Sequence, residues 1–251
     1  MLQEERYRII LAELERRGAV KVAELAEQLD LSESTVRRDI NELAAEGKLR
    51  KVFGGAVAFE RERKIKTVEE YMADKAFYCV REKESIARYA ASLIDDNDFV
   101  YIDAGTTTER MIDFIDNAAA AFATNGIPHG QKLAQRGFNV YMTGGQVKQA
   151  PLSIIGTDAV RFIESCNFTK CFMGVNGIDK ERGLTTPGLE EARVKEAAMK
   201  RSAVSYVLAD GSKFGCVSAA GFGRLEQCRI ITDRLKDSDF RNYTTIIETE
   251  V

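Results

Sequence analysis

From residue 99 onward the chain alternates short apolar runs with amphipathic stretches, a rhythm that few folds can satisfy. The runs FVYID (99–103), AFAT (121–124), NVYMTG (139–144), CFMGV (171–175), SYVLAD (205–210) and RIIT (229–232) are too short to be buried helices. They read as strands covered on both faces. Helical spacing falls between several of them, notably over Thr107 to Ile115 and Glu190 to Lys200. The expected fold class is therefore α/β, with a mostly parallel sheet and helices on both its faces.

The first 57 residues follow a different period. Tyr7, Ile10, Leu11 and Leu14 share one helical face that Gly18 closes, and Val22, Leu25, Ala26 and Leu29 repeat the spacing. Ser32 is suited to cap a third helix reaching about Glu46, ahead of Gly47. The last two helices, over about 20–43, match a helix-turn-helix. At about 100° per residue, Val36, Ile40 and Leu43 gather on one side of the third helix, with Ser34, Arg37, Arg38 and Asn41 almost opposite. Arg can grip guanine edges or phosphates, Asn can bond adenine, and Ser near a helix start can reach phosphate. The plain alternative is a solvated charged face. Lys48, Arg50 and Lys51 then lead into Val52-Phe53-Gly54-Gly55, whose paired glycines permit a tight hairpin, so 48–57 is expected to be a basic wing touching the adjacent DNA backbone. Residues 1–57 hold ten Lys and Arg against eleven Asp and Glu, whereas 34–57 hold five against three. Affinity should therefore rest on a small oriented surface, helped by dimerisation across two half-sites.

Charge of both signs is dense from 58 to 84, which reads as a linker, and a second domain is expected over 85–251. The chain is 45% hydrophobic and 30% charged with net charge −3. No apolar run approaches the about 20 residues of a membrane span, and MLQEERYRII lacks a signal-like apolar core, so a cytoplasmic protein without membrane contact is expected. Cys79, Cys166, Cys171, Cys216 and Cys228 are scattered without Cys-x-x-Cys spacing, and His129 is the only histidine. That pattern suggests no disulfide framework, metal site or histidine-based triad, and no cofactor is expected.

Several expected strand ends carry polar glycine loops. Asp103-Ala-Gly105-Thr106-Thr107-Thr108 follows FVYI and opens a helix, where free N–H groups, a close-approach glycine and threonine hydroxyls suit a phosphate; an ordinary threonine-capped helix start is the alternative. Thr124-Asn125-Gly126, Thr143-Gly144-Gly145, Gly174-Val175-Asn176-Gly177 and Asp210-Gly211-Ser212-Lys213 end other strands. In a parallel sheet these ends lie along one edge, the usual ligand side. Lys213 could neutralise a phosphate, and Asp103, Asn125 or Asp210 could hold sugar hydroxyls.

The combination of SESTVRRDIN with LRKVFGGA, followed by IDAGTTT, TNG, GGQ, MGVNGI, GLTTPGLEEARVK and LADGSKFG, resembles the DeoR family of bacterial transcriptional repressors over nearly the whole chain. Phe53 stands where that family often has His in the wing. The resemblance implies a winged helix-turn-helix head that binds operator DNA through Ser34, Thr35, Arg37, Arg38, Asn41, Lys48, Arg50 and Lys51. It further implies an effector domain similar in fold to ribose-5-phosphate isomerase, binding a phosphorylated sugar or polyol and forming a homo-oligomer, a dimer or tetramer. Effector contacts implied are Asp103, Gly105, Thr106, Thr107, Thr108, Asn125, Gly145, Asn176, Glu191, Lys195, Asp210 and Lys213.

The alternative function is a sugar-phosphate isomerase-like enzyme with a DNA-binding head. Proton transfer between carbons needs a carboxylate base. Asn176 and Gly177 cannot serve as one, and no lysine occupies the Gly183–Thr186 loop; Glu190 or Glu191 could serve. A site that binds without catalysing is the expectation.

Overall fold

A computed structural model of the chain describes residues 3–46, 48–58, 79–116 and 119–250. The contacts form two compact units, divided along the chain between Lys64 and Ile65. Most of the expected linker, 59–78, lies outside the described residues.

In the first unit, α1 (Gln3–Arg17) is followed by β1 (Ala19–Lys21), α2 (Val22–Leu29), α3 (Glu33–Ala45), β2 (Leu49–Val52) and β3 (Gly55–Ala58). Ile10 and Leu14 of α1, Leu25 of α2, and Val36, Ile40 and Leu43 of α3 meet in one core with Val20, Leu49 and Ala56. The 3.6-residue spacing had marked these helical faces. Asp30 turns the chain between α2 and α3 in the left-handed conformation (φ 52°), and Ser32 caps α3 by accepting the Thr35 N–H at 3.3 Å. The strand β1 was not anticipated; it completes an antiparallel sheet of order β1-β3-β2.

Two glycines shape the wing. Val52 pairs with Gly55 across a two-residue turn, and Gly54 takes φ +79°, where a side chain is disfavoured. A Cβ on Gly55 would lie 2.1 Å from the Val20 carbonyl oxygen, so only glycine lets β3 lie against β1. The Gly54 carbonyl accepts the Val22 N–H at 2.9 Å, tying the turn to the start of α2.

The first helix described in the second unit is α4 (Val80–Ala91), so 80–84, expected in the linker, form a helix start instead. Ile86, Ala87 and Ala90 carry it into the core, a period masked in sequence by surrounding charge. There follow β4 (Phe99–Ile102), α5 (Thr106–Met111) with a 3-10 turn to Phe114, β5 (Ala121–Thr124), α6 (Ile127–Gln135), β6 (Asn139–Met142), β7 (Gln146–Gln149), β8 (Leu152–Ile155), α7 (Thr157–Glu164) and β9 (Phe168–Gly174). Next come β10 (Gly177–Asp179), β11 (Gly183–Thr186), α8 (Leu189–Lys200), β12 (Ser202–Leu208), β13 (Ala220–Gly223), β14 (Arg229–Thr232) and β15 (Thr245–Glu248).

Seven strands form a parallel sheet of order β15-β14-β12-β9-β4-β5-β6. All six expected runs contribute to it. Along β4, Val100 and Ile102 pack on one face with Ile86, Phe122, Leu133 and Phe172, while Tyr101 packs on the other with Ile163, Phe168, Met173 and Val207. Two cores thus sandwich the inner strands of the sheet, which is why these carry no polar alternation; β6, expected to be covered on both faces, is an edge strand and leaves Tyr141 and Met142 exposed. Connections run outward to β5 and β6 on one side of β4, and to β12, β14 and β15 from its other neighbour β9. The order reverses between β4 and β9, and a crevice opens there beyond the strand ends. The hairpin β7–β8 and the antiparallel sheet β10-β11-β13 stand apart from the main sheet.

Candidate functional site

On α3 the packing face is Val36, Asp39, Ile40 and Leu43, and Ser34, Arg37, Arg38 and Asn41 are exposed. The buried acid Asp39 is gripped by Arg6 of α1 through two bonds, Nε to Oδ2 at 2.7 Å and Nη2 to Oδ1 at 2.9 Å. One residue of rotation therefore turns Asp39 inward while Arg38 faces out, which removes a negative charge from the outer face. Arg37 pairs with Glu33 at 2.8 Å and Arg38 with Glu42 at 3.5 Å, both exposed i,i+4 pairs. Such pairs exchange for phosphate at little cost, about 0.3–0.5 kcal/mol each. Glu42 is also held by Tyr7 and by Gln3 (2.6 Å), and burial, then the Glu42 contact, raises the Tyr7 phenol above its usual pKa.

Ser34 and Thr35 hydroxyls lie 2.8 and 2.9 Å from that of Ser32, so the helix start presents a hydroxyl cluster, with Thr35 half-buried. Lys48, Arg50 and Lys51 are exposed along the wing, Lys48 at 2.7 Å from Glu46. The eight residues singled out for DNA contact thus share one unit, Thr35 alone being partly covered.

In the second unit a pocket occupies the crevice at the β4/β9 reversal. Gly105, Thr106, Thr107, Asn176, Glu191, Lys195, Asp210 and Lys213 line it, together with Lys83, Pro151, Val175 and Leu208. Behind the wall, Asp103 follows β4 and is completely buried. Its Oδ2 accepts the Gly174 N–H at 3.0 Å and pairs with Lys195, while Oδ1 has no hydrogen-bond partner. Burial lifts the Asp103 carboxyl above its ordinary pKa against the pull of Lys195. Lys195 also reaches the Gly174 carbonyl at 3.1 Å and Glu191 at 3.4 Å. Glu191 is further bound by Lys148 of β7 at 2.8 Å and by the Thr186 hydroxyl at 2.9 Å. Burial alone would raise Glu191, yet the two lysines outweigh it and hold the carboxyl at about 2.

At the opposite wall, Lys83 and Lys213 stand near Asp210, whose Oδ1 accepts the Ser212 N–H at 3.0 Å. Burial pushes the Lys83 ammonium below the usual lysine value, with Asp210 opposing. An anion entering here would relieve that cost.

Besides Asp103, three expected contacts fall outside the lining. Thr108 is buried, its hydroxyl 2.6 Å from the Asp103 carbonyl, so it braces the loop from below. Asn125 is buried too, accepting the Ala104 N–H at 3.1 Å and donating to the Ile154 carbonyl at 3.2 Å. Gly145 is exposed ahead of β7 and does not line the pocket. Asn125 and Gly145 follow strand ends and Thr108 lies in the first turn of the helix after β4, where loop composition signals proximity but not which way a side chain turns. His129, given no role beforehand, lies under the same loop: its Nε2 is 3.3 Å from the Gly105 nitrogen and 3.1 Å from the Thr108 hydroxyl. Burial lowers its pKa to about 4, so it is neutral. Lys83 was missed because its helix was hidden in the charged stretch; Lys148 and Pro151 belong to a hairpin with no strand-like apolar run.

Glu190 pairs with Arg193 at 2.7 Å and does not line the pocket. Among the described residues no group of His, Cys, Asp and Glu could hold a metal ion, and no helix is long and apolar enough to cross a membrane.

Comparison with known proteins agrees across both units. The family model for the DeoR-like helix-turn-helix domain matches residues 6–62, and that for the DeoR C-terminal sensor domain matches 78–234. Bacillus subtilis (strain 168) has a relative named as an uncharacterized HTH-type transcriptional regulator FruR, 38% identical over 244 residues, covering 97% of this chain and 96% of its own. The lactose phosphotransferase system repressor of Streptococcus mutans is 32% identical over 255 residues, covering 98% and 100%. Among solved structures, ribose 5-phosphate isomerase A of Methanocaldococcus jannaschii overlaps 53% of each chain at 14% identity with a TM-score of 0.39.

Proposed function

The chain belongs to the DeoR family of transcriptional regulators, and we propose that it represses a sugar or polyol utilisation operon, leaving its operator when a phosphorylated sugar or polyol fills the crevice pocket. The observation that carries this reading is the grouping of lysines in the pocket. Lys195 and Lys148 pair with Asp103 and Glu191, and Lys83 and Lys213 stand by Asp210 beside the Thr106–Thr107 hydroxyls. That wall suits a phosphate, and Asn176 with the bound carboxylates suits hydroxyls. Residues 1–57 would form the DNA-binding head, 58–84 the connection with its last turn already helical, and 85–251 the effector and oligomerisation domain. Two heads in a dimer or tetramer would offset the lack of net positive charge by binding paired half-sites. Effector binding would shift the population away from the operator-bound form.

Catalysis on the same sugar phosphate is the competing reading. Weighing against it, Glu191 is held by two lysines and a threonine, and Asp103, paired through Oδ2 with Lys195, is buried behind the wall and does not line the pocket. The relatives are named as transcriptional regulators and repressors.

The test is a panel of phosphorylated sugars and polyols, each beside its unphosphorylated counterpart, added to the protein bound to DNA from upstream of its own gene. Release by one phosphorylated compound alone is expected. Release by none, or turnover of the compound into an isomer, would defeat the proposal.

A further inference from the structure

We propose that Phe53 is an apolar contact to the minor groove of operator DNA, a reader of groove shape placed beside the basic residues of the wing. This rests on the reading of the first unit as a DNA-binding head. The Phe53 ring is fully exposed, at 107% of its reference area, and Val52 beside it is 38% exposed. A bare phenyl ring held on a stiff support is a contact in waiting. The support is stiff because Gly54 adopts its φ of +79°, the Gly54 carbonyl is bonded to Val22, and Gly55 brings β3 against the Val20 carbonyl.

The surroundings name the occupant. From Lys48 to Ala58 the chain has no acidic residue, and Lys48, Arg50 and Lys51 are exposed on the same wing, Lys48 beside Glu46. Burying Phe53 in an apolar protein interface would strip water from Arg50 and Lys51 of the preceding strand, a cost that a row of phosphates does not impose. A minor groove serves both: deoxyribose walls receive the ring while the flanking phosphate rows receive the cations. The wing begins directly after α3, where Lys48 N–H donates to the Leu43 carbonyl at 2.9 Å, so it falls over the backbone next to the helix that reads the major groove. A ring there favours A·T steps, whose minor groove lacks the guanine amino group.

The test uses the full chain and a duplex selected by the wild-type protein from a random-sequence pool, with affinity measured across a salt series. Phe53→Ala should bind roughly ten- to hundredfold more weakly, with an unchanged slope of log affinity against log salt, since an apolar contact releases no counterions. Lys51→Ala should instead lower that slope by about one. Replacing A·T by G·C pairs beneath the wing should weaken the wild type but not Phe53→Ala, and inosine·cytosine pairs, which restore the A·T minor-groove surface, should recover wild-type binding. Unchanged affinity of Phe53→Ala, or a loss indifferent to these pairs, overturns the proposal. So does a lower oligomer mass of Phe53→Ala without DNA, which would show that a second copy covers the ring. A wild-type protein that selects no duplex would overturn the DNA-binding head itself, an outcome distinct from failure of Phe53 alone.

Discussion

The Lys148 ammonium and Glu191 Oε2 lie 2.8 Å apart, across 43 residues of chain, and join the β7–β8 hairpin to the helix lining the pocket. Glu191 is thereby an ion-pair hub rather than a free acid. Glu191→Gln leaves Lys148 and Lys195 facing a neutral amide, and a loss of about 3 kcal/mol is expected, read as a lower urea midpoint of the second unit. Because the folded carboxyl is depressed from 4.5 to about 2, its contribution is complete above about pH 4.5 and disappears as pH falls through about 2. Equal stability of the two proteins at pH 6 would contradict this role.

His129 should produce a separate acid transition. Its pKa falls from 6.5 unfolded to about 4 folded through burial, so the unfolded chain takes up the proton first as pH drops. The stability is whole above about pH 6.5 and lost on descent to about 4, in total about 3 kcal/mol. Denaturant titrations at several pH values should show that slope in the wild type and its absence in His129→Asn.

Arg37→Ala and Arg38→Ala should each weaken binding to a selected operator roughly tenfold to a hundredfold, with melting hardly altered because both side chains are exposed. Binding equal to wild type in the double variant would remove α3 from the interface.

Lys83→Met keeps the apolar stem and removes the charge. Operator binding without effector should persist, whereas release should need roughly tenfold or more of the phosphorylated compound. An unchanged release curve would take Lys83 out of the phosphate wall.

How much of this was legible depended on whether period or direction carried the information. The faces of α2 and α3 and the six apolar runs of the main sheet follow from spacing, although only the inner strands are covered on both sides, and the edge strand β6 leaves Tyr141 and Met142 exposed. The strand β15 was missed, and so were β10, β11 and β13, short segments rich in glycine or threonine whose burial is decided by neighbours distant in sequence. The helix α6, containing Pro128, His129 and Gly130, hides its period behind breaker residues. Within the site, loop chemistry located the crevice, but whether Thr108 faced a ligand or its own backbone depended on the packing of α6 against the Gly105 loop. Likewise Asp103 read as a hydroxyl binder; only the fold brings Lys195, 92 residues on, against it.

The bond from Val22 to Gly54 makes the wing and the helix-turn-helix one caliper with a preset opening. Lys21, the last residue of β1, is followed at once by the first of α2, so no hinge separates the strand that grips the wing from the helix that supports α3. The distance a wing can stand from its recognition helix is then an inheritance of the fold. On the reading proposed above, a new operator would be acquired by exchanging the side chains at the two jaws, Arg37, Arg38 and Asn41 on one and Lys51 and Phe53 on the other, while the gap between them stays the same.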